Sequence, residues 1–85
     1  MNIVIDGEAV WEPLEKVLGK EACPEFMYMG KTALGETWVF LYKHRITRKY
    51  LNLDGRGNTY RFALEKGGRY YPVSFWYAIK HVFNN

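Results

Sequence analysis

A single cysteine, Cys23, leaves this chain of 85 residues without an internal disulfide and without the cysteine pairs or quartets of a structural zinc site. Packing alone must hold the fold, and a reducing, cytoplasmic compartment is the expectation. Long apolar runs are missing too. The longest, WVFLY, falls far short of the roughly 20 residues that cross a bilayer as a helix. The opening MNIVIDGEAV has no basic segment ahead of its short apolar run and soon meets Asp6, so neither a signal peptide nor a membrane anchor is expected. Acidic residues are scarce in one half only. Seven acids stand against three lysines up to Glu36, a net of −4, whereas nine bases stand against Asp54 and Glu65 from Thr37 onward, a net of +7. Such polarity suits a basic surface seeking an anion, or a fold that neutralises itself.

What is present is aromatic. Seven Tyr, five Phe and three Trp supply large rings that can close a small core with few side chains. A chain this short buries only about 60–65% of its unfolded surface, which leaves room for one core, and no repeat or linker interrupts it; residues 1–85 read as one domain. WEPLEKVLGK predicts a short helix, with Pro13 in the first turn, Glu12 and Glu15 at its positive end, Gly19 at its close, and Leu14, Val17 and Leu18 as its apolar stripe. After Pro24 the period changes to two in EFMYMGKT, TWVFLYKHR, RKYLNLD, TYRFALE and RYYPV, with Gly35, DGRG (54–57) and Gly67–Gly68 as turns. Ser74 can cap a closing helix, FWYAIKHVF, whose Phe75, Ile79, Val82 and Phe83 fall on one face. The expected fold is α+β: an antiparallel meander of four to five strands with a short N-terminal helix and a C-terminal helix packed on the sheet.

Two finer expectations follow from alternation. In the hairpin around DGRG, a register that sets Leu51 and Leu53 on the face of Tyr60, Phe62 and Leu64 gathers the apolar side chains, and leaves Arg48, Tyr50, Asn52, Thr59, Arg61 and Glu65 on a wet face. TWVFLY is apolar on both sides, so that strand is expected to be central, with Phe40 among the least accessible residues, or to meet a partner.

The run YKHRITRKY (42–50) carries the clearest functional signal. It has no Gly, Pro, Asn or Asp to make a tight turn, so a longer loop near Arg45–Thr47 is expected, with His44 at the surface. Lys43, Arg45, Arg48 and Lys49, joined by Arg61, can contact phosphates while Tyr42, Tyr50 or the nearby Tyr60 offers a ring for base stacking. The competing reading is a solvated sheet end whose cations discourage edge pairing. Motifs of catalysis and metal binding do not assemble. NLDGRGN lacks the acids of a calcium loop, GRGN has no following Lys-Ser/Thr, and His44, His81 and Cys23 stand isolated. His81 is expected beside a helix C-terminus, and Cys23 as a small core thiol. No cofactor, metal or catalytic residue is therefore expected. Two binding readings remain: a non-catalytic module for nucleic acid or another polyanion, and a protein-interaction module, whether inhibitor, adaptor or homodimer, that uses Trp38, Trp76 and Tyr77 or docks an acidic protein surface. The tryptophans, Trp11 included, are otherwise expected in the core.

Overall fold

The computed structural model describes residues 8–84 together with the backbone of Ile3–Val4. Most of MNIVID, the run inspected for a leader, lies outside the described residues. The chain runs β1 (Ile3–Val4), α1 (Glu12–Leu18), β2 (Phe26–Leu34), β3 (Thr37–His44), β4 (Tyr50–Asp54), β5 (Thr59–Ala63), β6 (Arg69–Val73) and α2 (Phe75–Phe83), with short 3-10 turns before β2 and after β5. All strands pair antiparallel with their sequence neighbours, in the order β1 to β6. The five strands from β2 to β6 form the expected meander, and a two-residue edge strand, β1, joins beside β2.

Pro13 stands in the first turn of α1, and Gly19 closes it by donating its N–H to Glu15 O at 2.8 Å. Leu14 is fully buried, with Val17 and Leu18 packed beside it. Ser74 Oγ accepts the N–H of Tyr77 at 3.1 Å and starts α2. Leu14, Phe26, Tyr42, Leu51, Leu53, Ala78 and Val82 make one core, so both helices cover the same side of the sheet. In β2, two residues lie between Tyr28 and Lys31 where β3 has one between Tyr42 and Phe40. This bulge contains buried Gly30 at φ 110°, a conformation that side chains avoid.

β3 is central, as expected. Its most protected residues are nonetheless Val39, Leu41 and Tyr42, whereas Phe40 is partly buried against the core. Tyr42 reaches deeper because its hydroxyl has a partner there, the Val10 carbonyl at 2.6 Å, and its ring meets Trp11 and Tyr28.

The expected register of the DGRG hairpin is overturned. Asn52 pairs with Tyr60 and Leu53 with Thr59, which sets Leu51 and Leu53 with Thr59 and Arg61, and puts Tyr60 and Phe62 on the opposite face with Leu41 and Asn52. The turn decides it. Asp54 exchanges backbone contacts with Gly57 and Asn58, and its carboxylate accepts the N–H groups of Arg56 and Asn58, the Asn58 amide and the Tyr60 hydroxyl at 2.9–3.1 Å. Six local bonds outweigh the gain from gathering apolar side chains on one face. The expected wet face accordingly does not form: Asn52 falls on one side of the sheet and Thr59 and Arg61 on the other, and Asn52 and Thr59 are buried.

Candidate functional site: a tyrosine-walled cleft between β4, β5 and α2

β4 and β5 are paired at Asn52–Tyr60 and Leu53–Thr59, while Tyr50–Leu51 and Arg61–Ala63 run on past the ladder together at the end away from the turn. Where the strands part, a cleft of about 390 Å³ opens towards α2. Its walls draw on both faces of the sheet. Leu41, Asn52, Tyr60, Phe62 and Tyr70 come from the face that the register correction created, and Arg61, Val73 and the α2 residues Tyr77, Ala78 and His81 from the other. Lys49 and Tyr50 complete the lining. The volume suits one small planar ligand, and the lining is mainly aromatic with a few polar groups, as in many binding sites.

Neighbours fix the walls. The Tyr60 hydroxyl donates to Asp54 Oδ2, Phe62 and Tyr70 pack at 5.1 Å between ring centres, and Tyr77 stacks on His81 with the rings within 2° of parallel. Burial, and then the bond to Asp54, raises the pKa of Tyr60; burial, and then the nearness of Tyr50, raises that of Tyr70. Both phenols therefore remain hydrogen-bond donors at neutral pH. His81 is pushed below its ordinary value by burial and then by Lys49 and Arg61, so it stands in the cleft as a neutral imidazole. Asp54 beneath the wall stays ionised, because the bonds from Asn58, Tyr60 and Arg56 outweigh the effect of burial.

The buried floor contains Asn52, which is 5% exposed. Its Nδ2 donates to the Tyr60 carbonyl at 3.3 Å, which fixes the amide orientation because a carbonyl can only accept. Oδ1, facing the other way, accepts no hydrogen bond from any described residue.

The residues singled out in the sequence divide among several places. Lys49, Tyr50, Arg61 and Tyr77 line the cleft together. Lys49 Nζ also donates to the Asn84 carbonyl at 2.6 Å, and Arg61 pairs with Glu65. Lys43 lies 5.8 Å from the Tyr50 ring centre, so the cation sits over the residue that opens the cleft. Arg45 and Arg48 are exposed on the loop between β3 and β4, the former donating from Nε to the Pro24 carbonyl. Arg48 adopts φ 65°, which lets the loop close without glycine.

His44 is not at the surface. It is 4% exposed, and its Nδ1 accepts the N–H groups of Ile46 and Thr47, the part an Asp or Asn side chain commonly plays in such a loop. Nε2 consequently carries the proton and lies 3.5 Å from Glu25 Oε1. Trp38 and Trp76 are likewise not core residues, at 41% and 72% exposure. Lys31 lies over the Trp38 ring, and Phe75 packs against Trp76 edge-on. Cys23 packs against the core, and burial followed by Glu15 and Glu21 raises its pKa, which makes a poor nucleophile.

Sequence reasoning missed Asn52, Phe62 and Tyr70 as site residues. The available signal was the Asp-Gly-Arg-Gly-Asn turn: letting Asp54 and Asn58 close the hairpin assigns Asn52, Tyr60 and Phe62 to one face. Among the described residues, no group of three or more His, Cys, Asp or Glu is arranged to hold a metal, and no helix is long and apolar enough to cross a membrane. No protein-family model, curated protein or solved structure matches the chain.

Proposed function

We propose that this protein is a small non-catalytic module that binds single-stranded nucleic acid, with one base in the tyrosine-walled cleft and the adjoining phosphates on the basic loop beside it. The cleft itself supports this reading most. It combines flat aromatic walls with Lys49 and Arg61 at the same opening, and the loop that delivers Lys49 and Tyr50 also presents Arg45 and Arg48. Rings that stack bases beside cations that follow a backbone are what single strands require. The lone cysteine suits a cytoplasmic setting.

Four phosphate contacts, from Arg45, Arg48, Lys49 and Arg61, would make log affinity fall with log salt at a slope of about −3, since each contact on a single strand contributes roughly −0.7. Fluorescence anisotropy of a labelled oligonucleotide measures this. Arg48→Ala is expected to weaken every sequence alike and to shallow the slope by about one contact. Tyr50→Ala should cost about 1–3 kcal/mol by removing a stacking surface. Absence of binding to DNA and RNA at about 50 mM salt, a condition that favours electrostatic association, would overturn the proposal.

A second reading, docking on another protein, draws on Trp76, which at 72% exposure is the most solvent-exposed of the large aromatic side chains described. A Trp76→Ser variant that loses a protein partner while still binding oligonucleotide would assign that face to a separate contact.

A further inference from the structure

Three groups that can carry positive charge meet in the cleft. Lys49 arrives from the loop before β4, Arg61 from β5 and His81 from the last turn of α2. Each can be reached from outside, since His81 is exposed and Lys49 and Arg61 are half-buried. Both cations keep donors for a ligand: Lys49 Nζ gives one of its three N–H groups to the Asn84 carbonyl, and Arg61 pairs with Glu65 through Nη2. Around His81 stand also the Tyr77 ring stacked on it, the phenols of Tyr50, Tyr60 and Tyr70 in the walls, Lys80 beside it in the helix, and Asp54, held beneath the wall by Tyr60.

The charge balance points to the ligand. With His81 neutral, Lys49, Arg61 and Glu65 leave one positive charge, which matches a phosphodiester inside a strand; a proton on His81 makes it two, which matches a phosphate monoester near neutral pH. We infer that the cleft binds the end of a strand, a terminal nucleotide whose base stacks on the tyrosines and whose phosphate monoester is held by Lys49, Arg61 and His81. This rests on the nucleic-acid reading above. Burial, and then the nearness of Lys49 and Arg61, keeps the empty His81 below its ordinary pKa. A dianion set beside the imidazole favours the imidazolium, so His81 takes up a proton as the end phosphate enters. Affinity for the end therefore rises as pH falls through the raised, bound-state pKa of His81 and levels off below its free-state value.

The test compares one internally labelled oligo-dT in three forms, with a 5′-phosphate, with a 3′-phosphate and with hydroxyls at both ends, by anisotropy at constant salt. One of the phosphorylated forms is expected to bind roughly tenfold more tightly than the hydroxyl form at about pH 6.5, and which one it is gives the polarity of the strand. The advantage should shrink towards about pH 8, where His81 is harder to protonate. In the natural protein, the His81 ring titration followed by NMR should move to higher pH when that phosphorylated strand is added. His81→Gln, which keeps an N–H donor but cannot take the charge, should lose the pH dependence of the advantage. Equal affinity for all three forms would overturn the end site while leaving single-strand binding intact. An end preference that ignores pH, with the His81 titration unmoved, would overturn the part given to His81. Binding to none of the strands would overturn both readings.

Discussion

At the scale of the residue, Asp54 shows one side chain deciding the geometry of a hairpin and, through it, of a cleft. It is buried, yet its carboxylate accepts four hydrogen bonds, one of which orients the Tyr60 ring. Its folded-state pKa lies below the ordinary carboxylate value of about 4, so near that pH the unfolded chain binds the proton more readily. The stability it contributes is complete above about pH 4 and is lost as pH falls through the lower, folded value. Denaturant melts from pH 6 down to pH 2 should show this fall in the natural protein and a shallower one in Asp54→Ala. That variant is expected to lose on the order of 2–3 kcal/mol at neutral pH, since several donors are left unpartnered. Identical acid profiles for the two proteins would mean that another carboxylate dominates.

At the scale of the element, the basic loop and the end of α2 are tied to each other. Thr47 Oγ1 donates to the Val82 carbonyl at 2.6 Å, and Lys49 Nζ to that of Asn84 at the same distance. A helix C-terminus has unsatisfied carbonyls and a negative pole, so a hydroxyl and an ammonium are well placed there. Lys80 in the last turn of α2 adds a positive charge at that pole, and His81 lies in the same turn, the place expected for it, though as a neutral ring. Thr47 Oγ1 also accepts the Lys49 N–H at 3.3 Å. Thr47→Val, nearly equal in size, should therefore cost about 1–2 kcal/mol and lower the melting temperature by roughly 4–12 °C in a domain of this size. It should also weaken oligonucleotide binding, because Lys49 and Tyr50 follow directly in the loop. A melt unchanged from the natural protein would show that the loop and helix hold their places independently.

At the scale of the whole molecule, the core is complete within one chain. Leu14 from α1, Phe26 from β2, Tyr42 from β3, Leu51 and Leu53 from β4, and Ala78 and Val82 from α2 fill it without a second copy. The exposed Trp38 and Trp76 lie outside that cluster. A homodimer built on them would raise the melting temperature with protein concentration, because association stabilises only the folded form. The expected result is a melting temperature constant over about a 100-fold range of concentration, with a monomer mass by light scattering. A rising melt would assign the exposed tryptophans to self-association.

The sequence by itself determined the elements and their order, because these rest on local chemistry: Pro13 and Gly19 bound one helix, Ser74 begins the other, and period-two stretches punctuated by glycine leave a nearest-neighbour meander as the simplest connection. It also made Lys49, Tyr50, Arg61 and Tyr77 candidates, since each is conspicuous by type. Tertiary structure alone decided which of them meet. Alternation assigns side chains to two faces but does not say which face is which across a turn; a shift of one residue, set here by the bonds around Asp54, exchanged the faces of Tyr60 and Phe62. The separation of β4 from β5, which turns those rings into the walls of a cleft, depends on strands and a helix distant in sequence. The orientation of the Asn52 amide is likewise tertiary in origin, because the Tyr60 carbonyl across the β4–β5 ladder holds its Nδ2.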